Sequence, residues 1–127
     1  MKRWSFIGGL AIVPLLHLAP TPCFAAASHL DRAVAETRKA VHYGNMPHHE
    51  SSFAQHIDNA IDQATLAQRA YPHPKIKEAL DDLRRGKRIA YNSHSPRLQR
   101  MGAAQAAKAA QLLQYVDSAR HYGSSDH

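Results

Sequence analysis

Apolar residues in this chain recur at helical spacing in four successive stretches. In the first, Leu30, Ala33, Val34, Thr37, Ala40 and Val41 fall at i, i+3, i+4, i+7, i+10 and i+11, one face of an amphipathic helix. Ser28 predicts its N-cap, with Asp31 three residues on completing a capping box, and Gly44-Asn45 predicts its end. Pro47 then suits the first turn of a second helix, whose stripe is Phe53, Ile57, Ala60, Ile61, Ala64 and Ala67 and which Pro72 stops. Pro74 opens a third helix carrying Ile76, Leu80, Leu83, Ala90 and Tyr91, with Gly86 weakening its middle by up to about 1 kcal/mol. Pro96 opens a fourth, with Leu98, Met101, Ala104, Leu112, Tyr115, Val116 and Ala119 as its stripe and Gly123 at its end. No stretch sustains strand alternation.

Each helix has a single apolar stripe to bury, and the connections are short. The expected fold is all-α, an antiparallel up-down-up-down four-helix bundle over residues 28–123, with a frayed tail at 124–127. Its two halves are alike. Ala40-Val41-His42-Tyr43-Gly44-Asn45-Met46-Pro47 parallels Arg88-Ile89-Ala90-Tyr91-Asn92-Ser93-His94-Ser95-Pro96, an apolar pair followed by Tyr, a turn and a helix-opening proline, which predicts two similar helical hairpins. The alanines, dense from Ala103 to Ala110, allow close helix approach but bury little area, so the core should be thin. Five tyrosines near helix ends, Tyr43, Tyr71, Tyr91, Tyr115 and Tyr122, are expected to cover the ends of that core.

The residues before the first stripe read differently. Lys2 and Arg3 precede an apolar run from Phe6 to Leu18, then Pro20, Pro22 and the small-residue stretch Ala25-Ala26-Ala27, the order of a cleavable secretory signal over residues 1–27. Pro14 and His17 cut the apolar run short of the roughly 20 residues that span a bilayer, so no membrane span is expected after cleavage. Pro22 directly before Cys23 argues against a lipid anchor there. The expected location is periplasmic or secreted.

Cleavage removes the single cysteine, Cys23, and with it disulfides, thiolate metal sites and cysteine nucleophiles. With Lys2 and Arg3 gone from the sixteen basic residues, fourteen face ten acidic ones, a balance too mild to predict a nucleic-acid partner. The run Arg84-Arg85-Gly86-Lys87-Arg88 could touch an anionic envelope partner, although on a helix it wraps most of the way round and such runs are more often a solvated face, with Asp81-Asp82 pairing to Arg85. No nucleophile elbow, paired acids or C-x-x-C-H haem motif is present, so a non-catalytic protein is expected. Weak self-association through the alanine-rich faces is the remaining partner expected besides metal ions.

The histidines carry the candidate chemistry, because nine of the ten outlast cleavage. An up-down bundle gathers His42, His48, His49 and His94 at one end, beside Met46 and Glu50, and His29, His73 and His121 at the other. His56 stands alone in mid-helix. Imidazole suits Cu(II), Ni(II) and Zn(II), with copper bound tightest among divalent ions, and it must be neutral to bind. His48 and His49, expected in a first helical turn, would be held neutral by the positive end of the helix dipole. For any single histidine, capping or plain surface exposure competes with ligation, and there is no H-E-x-x-H spacing to fix a geometry.

His29-Leu30-Asp31-Arg32-Ala33-Val34, Ala40-Val41-His42-Tyr43-Gly44 and Gln55-His56-Ile57-Asp58-Asn59-Ala60-Ile61 resemble the repeats of the small metal-binding protein (SmbP) family, periplasmic histidine-rich four-helix bundles that bind copper and other divalent metals. The resemblance implies ligand roles for His29 and His56. The chain departs from the family at Glu36, Gln63, Arg84 and Lys108, where the family repeats histidine. His42, His48, His49 and His94 join the candidate metal set from the expected bundle geometry. The cofactor expected is a divalent transition metal, copper first, then nickel or zinc. A structural or interaction module of the envelope, binding metal only incidentally, is the alternative.

Overall fold

A computed structural model describes residues 22–124, and side-chain placements from 29 to 123. Residues 1–21 of the expected leader and 125–127 of the expected tail lie outside the described residues. Four α-helices make up the described chain: α1 (Pro22–Gly44), α2 (Glu50–Ala70), α3 (Pro74–Ala90) and α4 (Pro96–Ser124). Among these residues there is no strand. No described helix is long and apolar enough to cross a membrane.

Each helix packs on two neighbours, α1 on α2, α2 on α3, α3 on α4 and α4 on α1, and the α2–α3 seam is the sparsest of the four. Contacts across the seams run in opposite sequence order: His29 meets Gln63 where Glu36 meets His56, and Lys75 meets Tyr115 where Arg85 meets Gln105. Neighbouring helices are therefore antiparallel. The expected four-helix bundle is the fold of the described chain.

The stripes on the first three helices are largely buried as the periodicity predicts, but Tyr91, expected on α3, is exposed at its C-cap. Leu30, Ala33, Val34, Thr37 and Ala40 meet Phe53, Ile57, Ala60, Ala64 and Ala67, and Ile76, Leu80 and Leu83 complete the layers. Thr37 is tolerated there because its hydroxyl donates to the Ala33 carbonyl at 2.6 Å. Asn45 closes α1 as expected, its side-chain amide donating to the Val41 carbonyl at 2.8 Å.

The fourth helix departs from expectation. Leu98, Met101, Ala104, Tyr115 and Ala119 are exposed, and the buried face is Gln99, Gly102, Ala103, Ala106, Ala109, Leu113 and Val116. The cause is a close crossing of α3 and α4. A Cβ added to Gly86 would lie 2.7 Å from the Gly102 carbonyl oxygen, and one on Gly102 would lie 2.8 Å from the Gly86 carbonyl oxygen. Backbones this close admit only the small-residue face of α4 and turn its larger apolar residues outward. Gly86, read from sequence as a weak point, is thus a packing requirement.

Three local expectations are also corrected. α1 begins at Pro22, so Ser28 lies within the helix rather than capping it, and the helix runs through Ala25–Ala27. α2 begins at Glu50, which leaves Pro47 and His48 in a turn and His49 at the N-cap without a side-chain cap bond. His48 takes a positive φ of 66°, a left-handed turn conformation that ends one helix before the next begins. Tyr71, Tyr91, Tyr115 and Tyr122 are exposed rather than covering the core, since the small-residue packing leaves them no gap, and only Tyr43 packs against it.

Candidate metal centre

The six histidines expected as ligands do not converge on one point. His48 is exposed on its turn, and His42 is exposed at the end of α1. His94 lies apart, on the rim of a cleft of about 370 Å³ between α2 and α3, with Glu50, Phe53, Lys87 and Tyr91. His29, near the other end, shares a 2.9 Å hydrogen bond through Nδ1 with Gln63 Oε1. His73, at that same end, is an N-cap: its Nδ1 accepts from the Lys75 backbone N–H at 3.0 Å, which uses the lone pair a metal would need.

His49 and His56, together with His42, gather round Tyr43. Glu36 and Tyr43 are seven residues apart on α1, as are His49 and His56 across the start of α2, so all four meet along the α1–α2 seam. His56 stacks on the Tyr43 ring at 5.2 Å with 7° between the planes, His49 lies tilted at 5.6 Å, and His42 meets it edge-on at 5.1 Å. His56 Nδ1 lies 2.7 Å from Glu36 Oε2, with Asn59 donating to the same oxygen at 3.5 Å and Lys39 3.6 Å from its partner oxygen. Burial works to raise the Glu36 pKa, but the hydrogen bonds from His56 and Asn59 and the charge of Lys39 outweigh it and hold the carboxyl below its usual range. A carboxylate so fixed accepts a hydrogen bond from Nδ1–H, the arrangement in which a neutral imidazole presents Nε2 as its lone-pair nitrogen. Stacking and hydrogen bonding together hold one oriented imidazole.

Among the described residues, the group of three metal-ligating side chains whose donor atoms lie within 4.8 Å of one another is Asp31, Asp117 and His121. It is absent from the expected ligand set. Asp117 and His121 are one turn apart on α4, and Asp31 reaches them from the neighbouring α1. His121 Nε2 stands 3.6 Å from Asp117 Oδ1 and 3.7 Å from Asp31 Oδ1. Asp117 is the inner member, and its Oδ1 is buried with no hydrogen-bond partner. Burial, then a hydrogen bond with Asp31 and that residue's negative charge, push the Asp117 pKa up to about 6, against the opposing pull of His121 and Arg120. The site therefore concentrates negative charge at neutral pH in a place that resists holding it, and a cation placed there would relieve the strain. Sequence reasoning placed His121 at this end but weighed histidines alone; the available signal was Asp117-x-x-x-His121, a one-turn carboxylate–imidazole pair.

Two of the four cations in the basic run of α3 are paired with acids. Lys87 Nζ lies 2.6 Å from Asp58, and Arg85 lies 3.1 Å from Asp82, as its spacing predicts. No family model, curated protein or solved structure matches this chain.

Proposed function

We propose that the chain is a non-catalytic, exported protein that binds a divalent transition metal, copper first and nickel or zinc next, and that Asp31, Asp117 and His121 hold the ion. The observation that carries this reading is their spacing. Tetrahedral zinc with bonds of about 2.0–2.1 Å keeps its ligands roughly 3.3 Å apart and tetragonal Cu(II) sets adjacent ligands roughly 2.9 Å apart, so donor separations of 3.6 and 3.7 Å need a closure of under about 1 Å. Three protein donors would leave a further position for water or for a group on a delivery partner. Asp117 Oδ1, buried without a hydrogen bond and 3.6 Å from His121 Nε2, supports the same reading, because a cation would satisfy it. The likeness of the His29 and His56 segments to SmbP repeats supports metal binding from the sequence, and the basic, apolar, small-residue order of residues 1–27 supports export. Copper is placed first because nitrogen–oxygen sites rank it highest among divalent first-row ions.

Calorimetric titration with Cu(II), Ni(II) and Zn(II) at pH 7.5 tests it. The Asp117→Asn and His121→Ala variants should each weaken the tightest site by about tenfold or more, whereas the His48→Ala/His49→Ala pair should leave that site unchanged. Equal affinity in the native protein and in both site variants would place the ion elsewhere, and no saturable binding of any of the three metals would end the proposal.

A further inference from the structure

We propose that the cleft between α2 and α3 is a binding site for a small organic cation, a single amine carried on an apolar body. It lies at the opposite end of the bundle from Asp31, Asp117 and His121, so it stands apart from the metal site. The fold itself opens this cleft. The close crossing of Gly86 and Gly102 draws α3 onto α4 and leaves α2–α3 as the sparsest seam, where Ala54 and Ala90 are too small to fill the gap. The hollow of about 370 Å³ is at the lower end of the range in which proteins hold small ligands. Its floor is Phe53 and Ile57, both buried in the core. Tyr91 lines it from the C-cap of α3, 65% exposed, and Asn92 directly after it takes the left-handed conformation, φ 54°, that ends the helix there.

Charge selects the occupant. Glu50, Asp58 and Lys87 all line the cleft, but Lys87 Nζ lies 2.6 Å from Asp58 Oδ1 and those two answer each other. Glu50 has no ion-pair or side-chain hydrogen-bond partner among the described residues. It is the first residue of α2, where the positive end of the helix dipole keeps a carboxylate ionised. The cleft therefore carries one uncompensated negative charge beside an apolar floor. An anion would be repelled by Glu50, and a neutral apolar molecule would strip water from that carboxylate without replacing it. An ammonium group donates to Glu50 and is drawn to the face of the Tyr91 ring, while its apolar body displaces water from Ala54 and Ala90. Length sets a further limit. Glu50 and Asp58 are eight residues apart on α2, a rise of about 12 Å, and Lys87 already occupies the far carboxylate, so a monoamine fits and a diamine finds no second partner.

Nuclear magnetic resonance titration of the isotope-labelled, metal-free protein at pH 7.5 tests this, with phenethylamine as the probe and phenethyl alcohol and phenylacetate as its neutral and anionic counterparts. Phenethylamine should give saturable shifts at the amides of Ala54, Tyr91 and Asn92 and bind about tenfold more tightly than the alcohol, and phenylacetate should not saturate up to about 10 mM. Glu50→Gln should lower the amine to the alcohol's affinity and leave the alcohol's own affinity unchanged, a split that separates a lost charge from a lost fold. Ala54→Leu, which fills the hollow from an exposed position, should abolish binding of both. No saturation by the amine, phenylacetate binding as tightly, shifts confined to residues outside the cleft, an amine affinity unchanged in Glu50→Gln, or undiminished binding in Ala54→Leu would each overturn the proposal.

Discussion

Asp117 is the residue at which sequence, packing and chemistry conflict most. Its neighbours on α4 place it against α1, where Asp31 and loss of water both oppose its charge and lift its pKa to about 6. The sign of the pH effect follows. An acid whose folded pKa lies above its unfolded value near 3.8 binds more protons when folded, so the protein loses stability as pH rises from about 4 through 6. Asp117→Asn removes the charge and should stabilise the metal-free protein at pH 7.5 by on the order of 1–2 kcal/mol, discounted for coupling to Asp31, while leaving stability at pH 4 nearly unchanged. Glu36 works the other way. Its lowered pKa contributes stability above the ordinary value of 4.5, and this is lost as pH falls below it, so urea unfolding of Glu36→Gln and native protein should differ at pH 7 and converge near pH 3. Equal pH profiles for native and Asp117→Asn protein would show that its burial is not felt. Neither effect was visible in sequence, because each depends on which side chain a neighbouring helix brings close.

At the level of elements, three helices were legible because most of their large apolar residues lie on one face. Leu30, Phe53, Ile57, Ile76 and Leu83 left little choice of register, and all are buried. On α4 the alanines surround the helix, so the periodicity of its larger residues described a face that turned out to point away from the core. What settles its rotation is a contact between distant segments, Gly86 against Gly102, that no single helix encodes. Gly86→Ala and Gly102→Ala are therefore expected to destabilise the protein although alanine is the better helix former. The intrinsic gain is at most about 1 kcal/mol, and forcing a methyl group against a backbone oxygen costs about 1–3 kcal/mol, so a net loss is expected at each position, with a fall in Tm of several degrees. A Tm raised by either substitution would mean that the two helices separate without cost. The start of α2 was misplaced for a related reason. Pro47 is compatible with a first helical turn, but the left-handed turn at His48 delays the helix to Glu50, which moves His48 outside the helix and His49 to its N-cap. The dipole argument loses its basis for His48, which lies outside the helix.

Over the whole molecule, the antiparallel order decided which histidines could meet. It put His42, His49 and His56 around Tyr43 and sent His94 to the α2–α3 cleft, a separation that depends on which side of each helix faces its neighbour and not on which end it occupies. It also brought Asp31 to Asp117 and His121, closing α1 on α4, two segments that only the folded chain holds together. An ion bound there can stabilise only the folded state. At a free concentration of about 100 times its dissociation constant it should contribute about 2.7 kcal/mol, which for a domain of this size raises Tm by about 10 °C or more. Surface histidines that keep their positions in the unfolded chain would give a smaller shift, since the metal would then bind both states. Scanning calorimetry with and without Cu(II) separates the two cases. The rise should be present at pH 7.5, disappear in His121→Ala, and shrink below pH 6, where protons compete for Asp117. A rise of equal size in native and His121→Ala protein would locate the stabilising ion away from the α1–α4 clasp and point back to the Tyr43 cluster, where Tyr43→Ala should then abolish it.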